Sequence, residues 1–520
     1  MKKTLLFFCF SLSIIFCHAQ TMFQSTYGIS HELPVNVIET TAGDYMLTGL
    51  TIVQAQYALS LYKTDSLGNL KWSKFGLMDV ALNFCGCTKQ IDSTTIVTIV
   101  TEQLSSLVIA FRYIKMDTSG QVISSRMYSI ESDLSYLSAT PTDDGGFLLA
   151  ASHGTVQIIK IDRDGTPLWS RQYFSNVSLS GTHIVATHDG GFAVAGFYPQ
   201  GGFSWQTFVV RVDSNHHVMW SRKYMTDPAL LLKDEPTDIC ATNDGGIVCV
   251  GKSNNNSSSP TYQWMMKINS SGSLLWQNKY NGWIDDHLFR RVIQKSSGNF
   301  ILMGLADEPY YDVDFRLMET DASGQSLWQH YIGNSYNEWP YELSLTRDGG
   351  YAVLSQGNQL AGVGNQLYLT KTDSMGMTVC YDTAKSYSQV PYNLGDSVFT
   401  VNDSSYTFVT QTSAFSFIDT VAHVSNYCSA VSSVEPVISE SSFSISPNPV
   451  SELTTFSLHH KPNVAWTLKI FNLQGKQIKQ VELYGIDYVF DARDFAPGIY
   501  IAEAITRHGA FFKKMIVSKN

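Results

Sequence analysis

The sequence predicts an all-β chain: a seven-bladed β-propeller, with eight blades as the alternative, followed by a small C-terminal β-sandwich. Three observations predict it. A unit with an Asp-Gly-Gly-aromatic hairpin in its fullest form, a Lys-x-Asp strand and a turn leading to Trp recurs seven times with variations, in steps of 45 to 55 residues. Each unit holds four short apolar stretches with strand-like alternation, and no helical period interrupts them. Past residue 442 the phrase stops and a different strand pattern begins. Four antiparallel strands per unit and about seven units are the signature of a propeller, where each blade buries its faces against its neighbours.

Residues 1–19 come first. Met1-Lys2-Lys3, then TLLFFCFSLSIIF, then small residues up to Ala19, form the charged, apolar and cleavage regions of a signal peptide. No later apolar run is long enough to span a bilayer, so no transmembrane segment is expected. The stretch Phe23–Gly28 has the spacing of a unit's last strand, because Phe23 and Tyr27 stand as Trp276 and Tyr280 do. It is expected to complete the last blade and lock the ring.

The repeats occupy residues 21–380. The residue after each hairpin turn anchors the unit: Tyr45, Ile96, Phe147, Phe192, Ile247, Phe300 and Tyr351. Asp-Gly before it signals a hairpin with a primed turn, which needs positive φ. A second turn, D-x-x-G, opens at Asp65, Asp117, Asp162, Asp213, Asn269, Asp321 and Asp373. It suits a type I turn in which Asp bonds its own backbone and Gly closes the loop. Trp72, Trp169, Trp220, Trp276 and Trp328 follow, and Ser124 and Cys380 replace them in the second and seventh units. An aromatic at one register in most blades points to blade-to-blade packing. Residues 381–428 form a β extension, and 397–412 within it resemble another first hairpin, hence the eight-bladed alternative. Residues 429–442 are a linker, and 443–520 the C-terminal domain.

Net charge is −10, and no Lys/Arg cluster interrupts it, which excludes a nucleic-acid surface. Of the eight cysteines, Cys380 and Cys428 are the favoured disulfide pair, since export permits oxidation. Cys240 and Cys249 would face each other across a two-residue hairpin, as a bridge or as two buried thiols. Cys85 and Cys87 lack the companion ligands of a metal site. His31-Glu32 starts like a zinc-protease helix, but Val35 stands where the second His belongs. No nucleophile elbow, phosphate loop or dinucleotide fingerprint is read. No metal and no cofactor are expected.

Two sets of residues remain as site candidates. Glu32, Asp133, Glu235, Asp286 and Glu338 each lie 12 to 14 residues before an anchor and would form an acidic ring on one face. Carboxylates so placed share a cation or raise one another's pKa, or else they satisfy local backbone groups. Trp205, Tyr262, Trp264, Tyr310 and Tyr311 lie in variable loops of adjacent units and would stack on a glycan or a peptide side chain. The expected function is non-catalytic binding of an extracellular glycan or protein. A polysaccharide-active enzyme using the acidic residues is the alternative.

The C-terminal segment carries Pro447-Asn448-Pro449, the turn ending at Gly475, Phe495 before Ala-Pro-Gly498-Ile-Tyr500, and a closing Lys513-Lys514-Met-Ile-Val. In this order these blocks resemble the type A sorting domain of the type IX secretion system of Bacteroidota. Phe495 departs mildly, since that family usually has Leu there. The resemblance implies export across the periplasm and outer membrane, with the secretion machinery as partner, and a final place at the cell surface or in the medium. The repeats in turn resemble propellers that this system carries as passengers.

Overall fold

The computed structural model describes residues 20–518, less short stretches between strands, the longest being 225–232, 281–288 and 433–442. It is all β. Residues 20–430 form one compact unit and the C-terminal residues from 431 belong to another.

The first unit is a seven-bladed propeller. The first strands of the blades are Leu33–Glu39, Gly86–Asp92, Tyr136–Pro141, Ser180–Ala186, Lys233–Ala241, Phe289–Gln294 and Glu338–Leu345. Each contacts the first strands of both neighbours, so these seven close a cycle around a central channel. Three further antiparallel strands extend each blade outward. In blade 7 the fourth strand is Gln20–Gly28, which pairs with Gln366–Thr372 as Phe23↔Lys371 and Tyr27↔Leu367. The two ends of the propeller segment thus share one blade, as expected from the Phe23–Tyr27 spacing. Apolar cores separate successive blades around the ring. The one between blades 7 and 1 holds Phe23, Tyr27, Leu47, Tyr62, Phe75 and Leu369, all fully buried. Burying each such side chain contributes about 1.5–3 kcal/mol.

The recurring residues have distinct mechanical roles. Both turns of a blade share one geometry. In blade 5 the Gly245 amide donates to the Thr242 carbonyl and the Thr242 amide to the Gly246 carbonyl. Only the last turn residue, Gly245 at φ 78°, has positive φ. This is a type I turn followed by a left-handed Gly, not the expected primed turn; Asn243 and Asp244 never enter the left-handed region. Its five-residue loop shifts the register, so Cys240 faces Val248 and Cys249 faces Ile239. The two thiols are free and do not stand opposite each other. The Lys of the third strand returns to the hairpin Asp: Lys160–Asp144 at 2.8 Å, Lys267–Asp244 at 2.6 Å, Lys371–Asp348 at 2.9 Å, with Arg211–Asp189 in blade 4. That ion pair explains why Asp-Gly-Gly and Lys-x-Asp recur together.

The second turn follows the expected type I form, with Asp65 Oδ1 accepting the amides of Leu67 and Asn69. Its Gly receives the aromatic of the preceding blade. Trp220 lies against Gly272, Trp276 against Gly324 and Trp328 against Gly376. The Tyr four residues on donates its hydroxyl to the same turn: Tyr224 to Gly272 O at 2.7 Å, Tyr280 to Gly324 O at 2.6 Å, Tyr27 to Gly68 O at 2.5 Å. In blade 4 His216 replaces Gly at φ 71°, and the Trp169 ring sits 4.1 Å from its imidazole.

The segment after the last repeat overturns the eight-bladed alternative. Residues 382–432 run around the outside of the propeller and add a fifth strand to every blade. Asp382–Ala384 pairs with the outer strand of blade 6, Gln389–Pro391 with blade 5 and Asp396–Val398 with blade 4. Asn402–Ser404 pairs with blade 3, Val409–Thr412 with blade 2 and Ile418–Asp419 with blade 1. His423–Ser432 ends the circuit on the Gln20–Gly28 strand of blade 7. Residues 397–412 therefore supply parts of three outer edges instead of a hairpin of their own, because each short strand finds a preformed edge to pair with. Cys380 and the side chain of Cys428 lie outside the described residues.

The second unit is a sandwich of a three-stranded sheet (Phe443–Ser446, Leu453–Leu458, Asp487–Asp491) and a four-stranded sheet (Gln477–Tyr484, Ala465–Asn472, Gly498–Thr506, Gly509–Val517). Its core includes Phe456, Trp466, Leu468, Phe490, Tyr500 and Met515.

Candidate functional site

The first strand of a blade has one register that the repeat does not standardise. Nine residues before each anchor stand Asn36, Cys87, Ser138, His183, Asp238, Arg291 and Glu342, seven different residue types in seven blades. All seven line one cavity of about 650 Å³ in the central channel. The structural positions of the repeat keep one chemistry; this one diversifies, and it faces open space.

Strand geometry explains the exposure. Five of the first strands shift register just before this position: between Pro34 and Asn36, Gly181 and His183, Pro236 and Asp238, Phe289 and Arg291, Pro340 and Glu342. Such a bulge bends the strand and re-aims side chains. In blades 5 to 7 the lining includes Thr237 with Asp238, Arg290 with Arg291, and Tyr341 with Glu342.

The charges occupy one arc. Blades 1 to 3 contribute Asn36, Cys87, Leu137 and Ser138, while blades 4 to 7 contribute His183, Asp238, Arg290, Arg291 and Glu342. Arg291 grips Glu342 with Nε–O distances of 3.1 Å and an Nη2–Oε2 distance of 3.0 Å. Asp238 Oδ2 accepts the Val292 amide at 2.8 Å. Burial pushes the Asp238 carboxyl up to about 6, against the pull of Arg291. Burial, reinforced by the Arg291 charge, pushes His183 down to about 3, so its imidazole is neutral. His183 Nδ1 stands 4.0 Å from Asp238 Oδ1, too far for a hydrogen bond. Aromatic faces flank the arc: Tyr136 meets Phe197 edge-on at 5.5 Å, and the Arg290 guanidinium lies 4.8 Å from the Tyr341 ring centroid.

The residues singled out in the sequence fall elsewhere. Glu32 is fully buried, with its carboxylate accepting from Ser60 Oγ at 2.7 Å and Tyr62 Oη at 2.6 Å. Glu338 is 2% exposed. Glu235 pairs with Lys252 at 3.2 Å on the adjacent strand. In blade 5 the equivalent of Glu32 is Asp234, which is buried and accepts a hydrogen bond from Ser253. The three described members of the acidic set thus hold strand entries or pair with a neighbour, and no shared carboxylate ring forms among them. Asp133 and Asp286 lie outside the described residues. Among the described residues no group of three His, Cys, Asp or Glu could hold a metal.

Trp264 corrects the aromatic patch. It is 1% exposed, lies in the core between blades 4 and 5, and covers Gly251, where any side chain would collide with it. The sequence alone did not show this, because a strand's inward face cannot be told from its outward face at a hairpin tip. Trp205 is half-buried, 6.0 Å from Phe197, with Lys233 Nζ 4.6 Å from its ring. Tyr262 pairs with Ser253 through the backbone, and its side chain lies outside the described residues, as do Tyr310 and Tyr311. The segment Gly246–Ser253 spells G-x-x-x-x-G-K-S, which is a phosphate-loop pattern, contrary to the expectation that the chain has none. Here it runs from the hairpin turn into the second strand of blade 5, Ile247–Asn254. An extended, paired backbone presents no amide cradle for phosphate.

In the C-terminal unit the motif residues hold the sandwich closed. Asn448 Nδ2 donates to Lys514 O at 2.6 Å, and Asn448 Oδ1 accepts the Ile516 amide at 2.8 Å. The flanking Pro447 and Pro449 both follow cis peptide bonds. Gly498 opens the strand that pairs with Val517, and Lys513 and Lys514 lie on that partner strand. Tyr500 donates to Ala496 O at 2.9 Å, and Phe495 fills the usual Leu place between Phe490 and Tyr500. Gly475 lies outside the described residues. Residues 444–518 match the secretion system C-terminal sorting domain family. This sorting domain is the type IX export tail that the motifs resemble, and it marks the protein for the cell surface or the medium. No described helix is long and apolar enough to cross a membrane.

No curated protein matches the chain. Among solved structures, a protein of unknown function from Bacteroides caccae is similar over 59% of this chain and 93% of its own, at 11% identity and a TM-score of 0.32. Polysaccharide lyase Uly1 is similar over 66% and 90%, at 11% identity and a TM-score of 0.45. A PL25 ulvan lyase is similar over 69% and 96%, at 9% identity and a TM-score of 0.45.

Proposed function

We propose that this protein is an exported, non-catalytic binding module whose central channel takes a polar ligand of oligosaccharide size. The observation that carries this reading is the diversified register from Asn36 to Glu342, which places seven different side chains around one cavity. A volume near 650 Å³ lies in the range of specific small-ligand sites, and the mix of aromatic faces with a few convergent polar groups is what such sites use. Export supports an extracellular ligand.

Binding is favoured over catalysis by how the ionisable groups are spent. A general acid or base must reach the substrate in the right protonation state. Glu342 is locked by Arg291, Asp238 is engaged by a backbone amide, and neutral His183 makes no hydrogen bond to Asp238.

The test is a screen of extracellular polysaccharides and oligosaccharides for binding, with product analysis on every hit. Saturable binding with no chain shortening is expected, weakened at least tenfold by His183→Ala or Asp238→Ala. Product release would establish the enzyme reading instead. Binding indifferent to both substitutions would remove the channel as the site.

A further inference from the structure

We infer that Arg290 and Tyr341 form an anion subsite in the channel, built for a carboxylate or sulfate group on the ligand. The inference rests on the channel being the ligand site and adds the chemistry of what it takes.

Three observations lead there. Arg290 is the extra residue of the blade 6 bulge, so the chain places two consecutive guanidinium groups on the channel wall. The local carboxylates do not match them. Glu342 is taken by Arg291 through both of its oxygens, and no ion pair joins Arg290 to any carboxylate among the described residues. Finally, Arg290 Nε is buried and has no hydrogen-bond partner, while the guanidinium rests on the Tyr341 face, 4.8 Å from its centroid.

A guanidinium has five N–H donors in a planar fork. One flat face here lies on an aromatic ring, which holds the plane but satisfies none of those donors. Leaving a charged donor buried and unmatched costs free energy, and a ligand oxyanion removes that cost. The fork fits a carboxylate or a sulfate through two parallel hydrogen bonds, which a neutral hydroxyl cannot reproduce. Burial and the adjacent Arg291 charge disfavour the protonated form of Arg290, so an incoming anion is favoured further.

The test uses the full-length protein and three matched oligosaccharide probes: one carrying glucuronate, its carboxyl-reduced neutral form, and a sulfated neutral form. Titration calorimetry compares wild type, Arg290→Gln and Arg290→Lys. Wild type should bind at least one anionic probe at least tenfold more tightly than the neutral probe. Arg290→Gln should erase that preference. Arg290→Lys, which keeps the charge without the fork, should retain part of it. Which anionic probe is preferred separates carboxylate from sulfate. Anion preference that survives Arg290→Gln overturns the subsite, as does equal binding of all three probes by wild type. If neutral binding persists and still depends on His183, the channel reading stands without the subsite. If no probe binds, both fall.

Discussion

Glu32 shows what one buried carboxyl does to the whole molecule. Its side chain sits at 0% exposure among Ser60, Tyr62 and the Ile29 amide. Burial outweighs those hydrogen bonds and pushes its pKa up to about 7. The folded state therefore holds this proton more tightly than the unfolded chain does. Between about pH 4.5 and 7 the native state binds more protons at this site, so its contribution to stability falls as pH rises through that window. The difference is at most about 3 kcal/mol between the two limits. Glu32→Gln keeps an acceptor for Tyr62 and removes the titration. Denaturant midpoints at pH 5 and pH 8 should lie closer together in the variant, with the gain at pH 8. An unchanged pH dependence would show that Glu32 does not titrate in this range. The acid's recurrence was legible in the sequence, but its direction was not, because a residue at a strand entry faces either solvent or the next sheet depending on the blade beside it.

At the scale of the element, the two turns of a blade look alike in sequence and differ in what surrounds them. Gly298, in the first turn of blade 6, has φ 91° and nothing within 4 Å of where a Cβ would lie. Gly272, in the second turn of blade 5, has φ 87°, and a Cβ there would meet the Trp220 ring at 2.8 Å and Arg222 at 2.9 Å. Gly298→Ala should cost about 1–2 kcal/mol, the price of a left-handed Ala. Gly272→Ala should cost more, about 3–4 kcal/mol in total, because it also forces apart the contact between blades 4 and 5. Thermal unfolding of the two variants checks this. Equal losses would mean that the Trp–Gly contact is not tight. The turn chemistry and the Trp–Tyr spacing could be read from the chain. The receiver of each aromatic could not, since it lies about fifty residues on, in the next blade.

At the largest scale, the propeller is closed twice. The Gln20–Gly28 strand closes the ring from within blade 7, and the segment 382–432 girdles all seven blades from outside. Unpaired outer strands are exposed edges that invite pairing with other chains, and the girdle covers one edge per blade. A chain ending at residue 432 should stay folded, in the oligomeric state of the full-length protein. A chain ending at 380 should retain the ring but unfold at least tenfold faster in denaturant and self-associate. If both unfold at the same rate and the shorter chain does not self-associate, the girdle does not clasp the propeller. In the native host the chain ending at 432 should also accumulate in the periplasm for want of its sorting domain, as cell fractionation would show.

The sequence by itself determined the propeller, its seven clear repeats, the strand that completes blade 7 and the sorting domain, but not the choice of seven blades over eight. Each of these is written in local pattern: period, alternation, turn residues and ordered motif blocks. Only the tertiary structure decided the rest. The segment 382–432 carries strands of two to ten residues, and each finds its place only because a blade edge is waiting for it. The channel register is the same case at the level of function. Asn36, Cys87, Ser138, His183, Asp238, Arg291 and Glu342 share no residue type, so no repeat signal marks them. They become a site when a closed ring of inner strands, bent by bulges, brings residues about fifty positions apart to face one cavity.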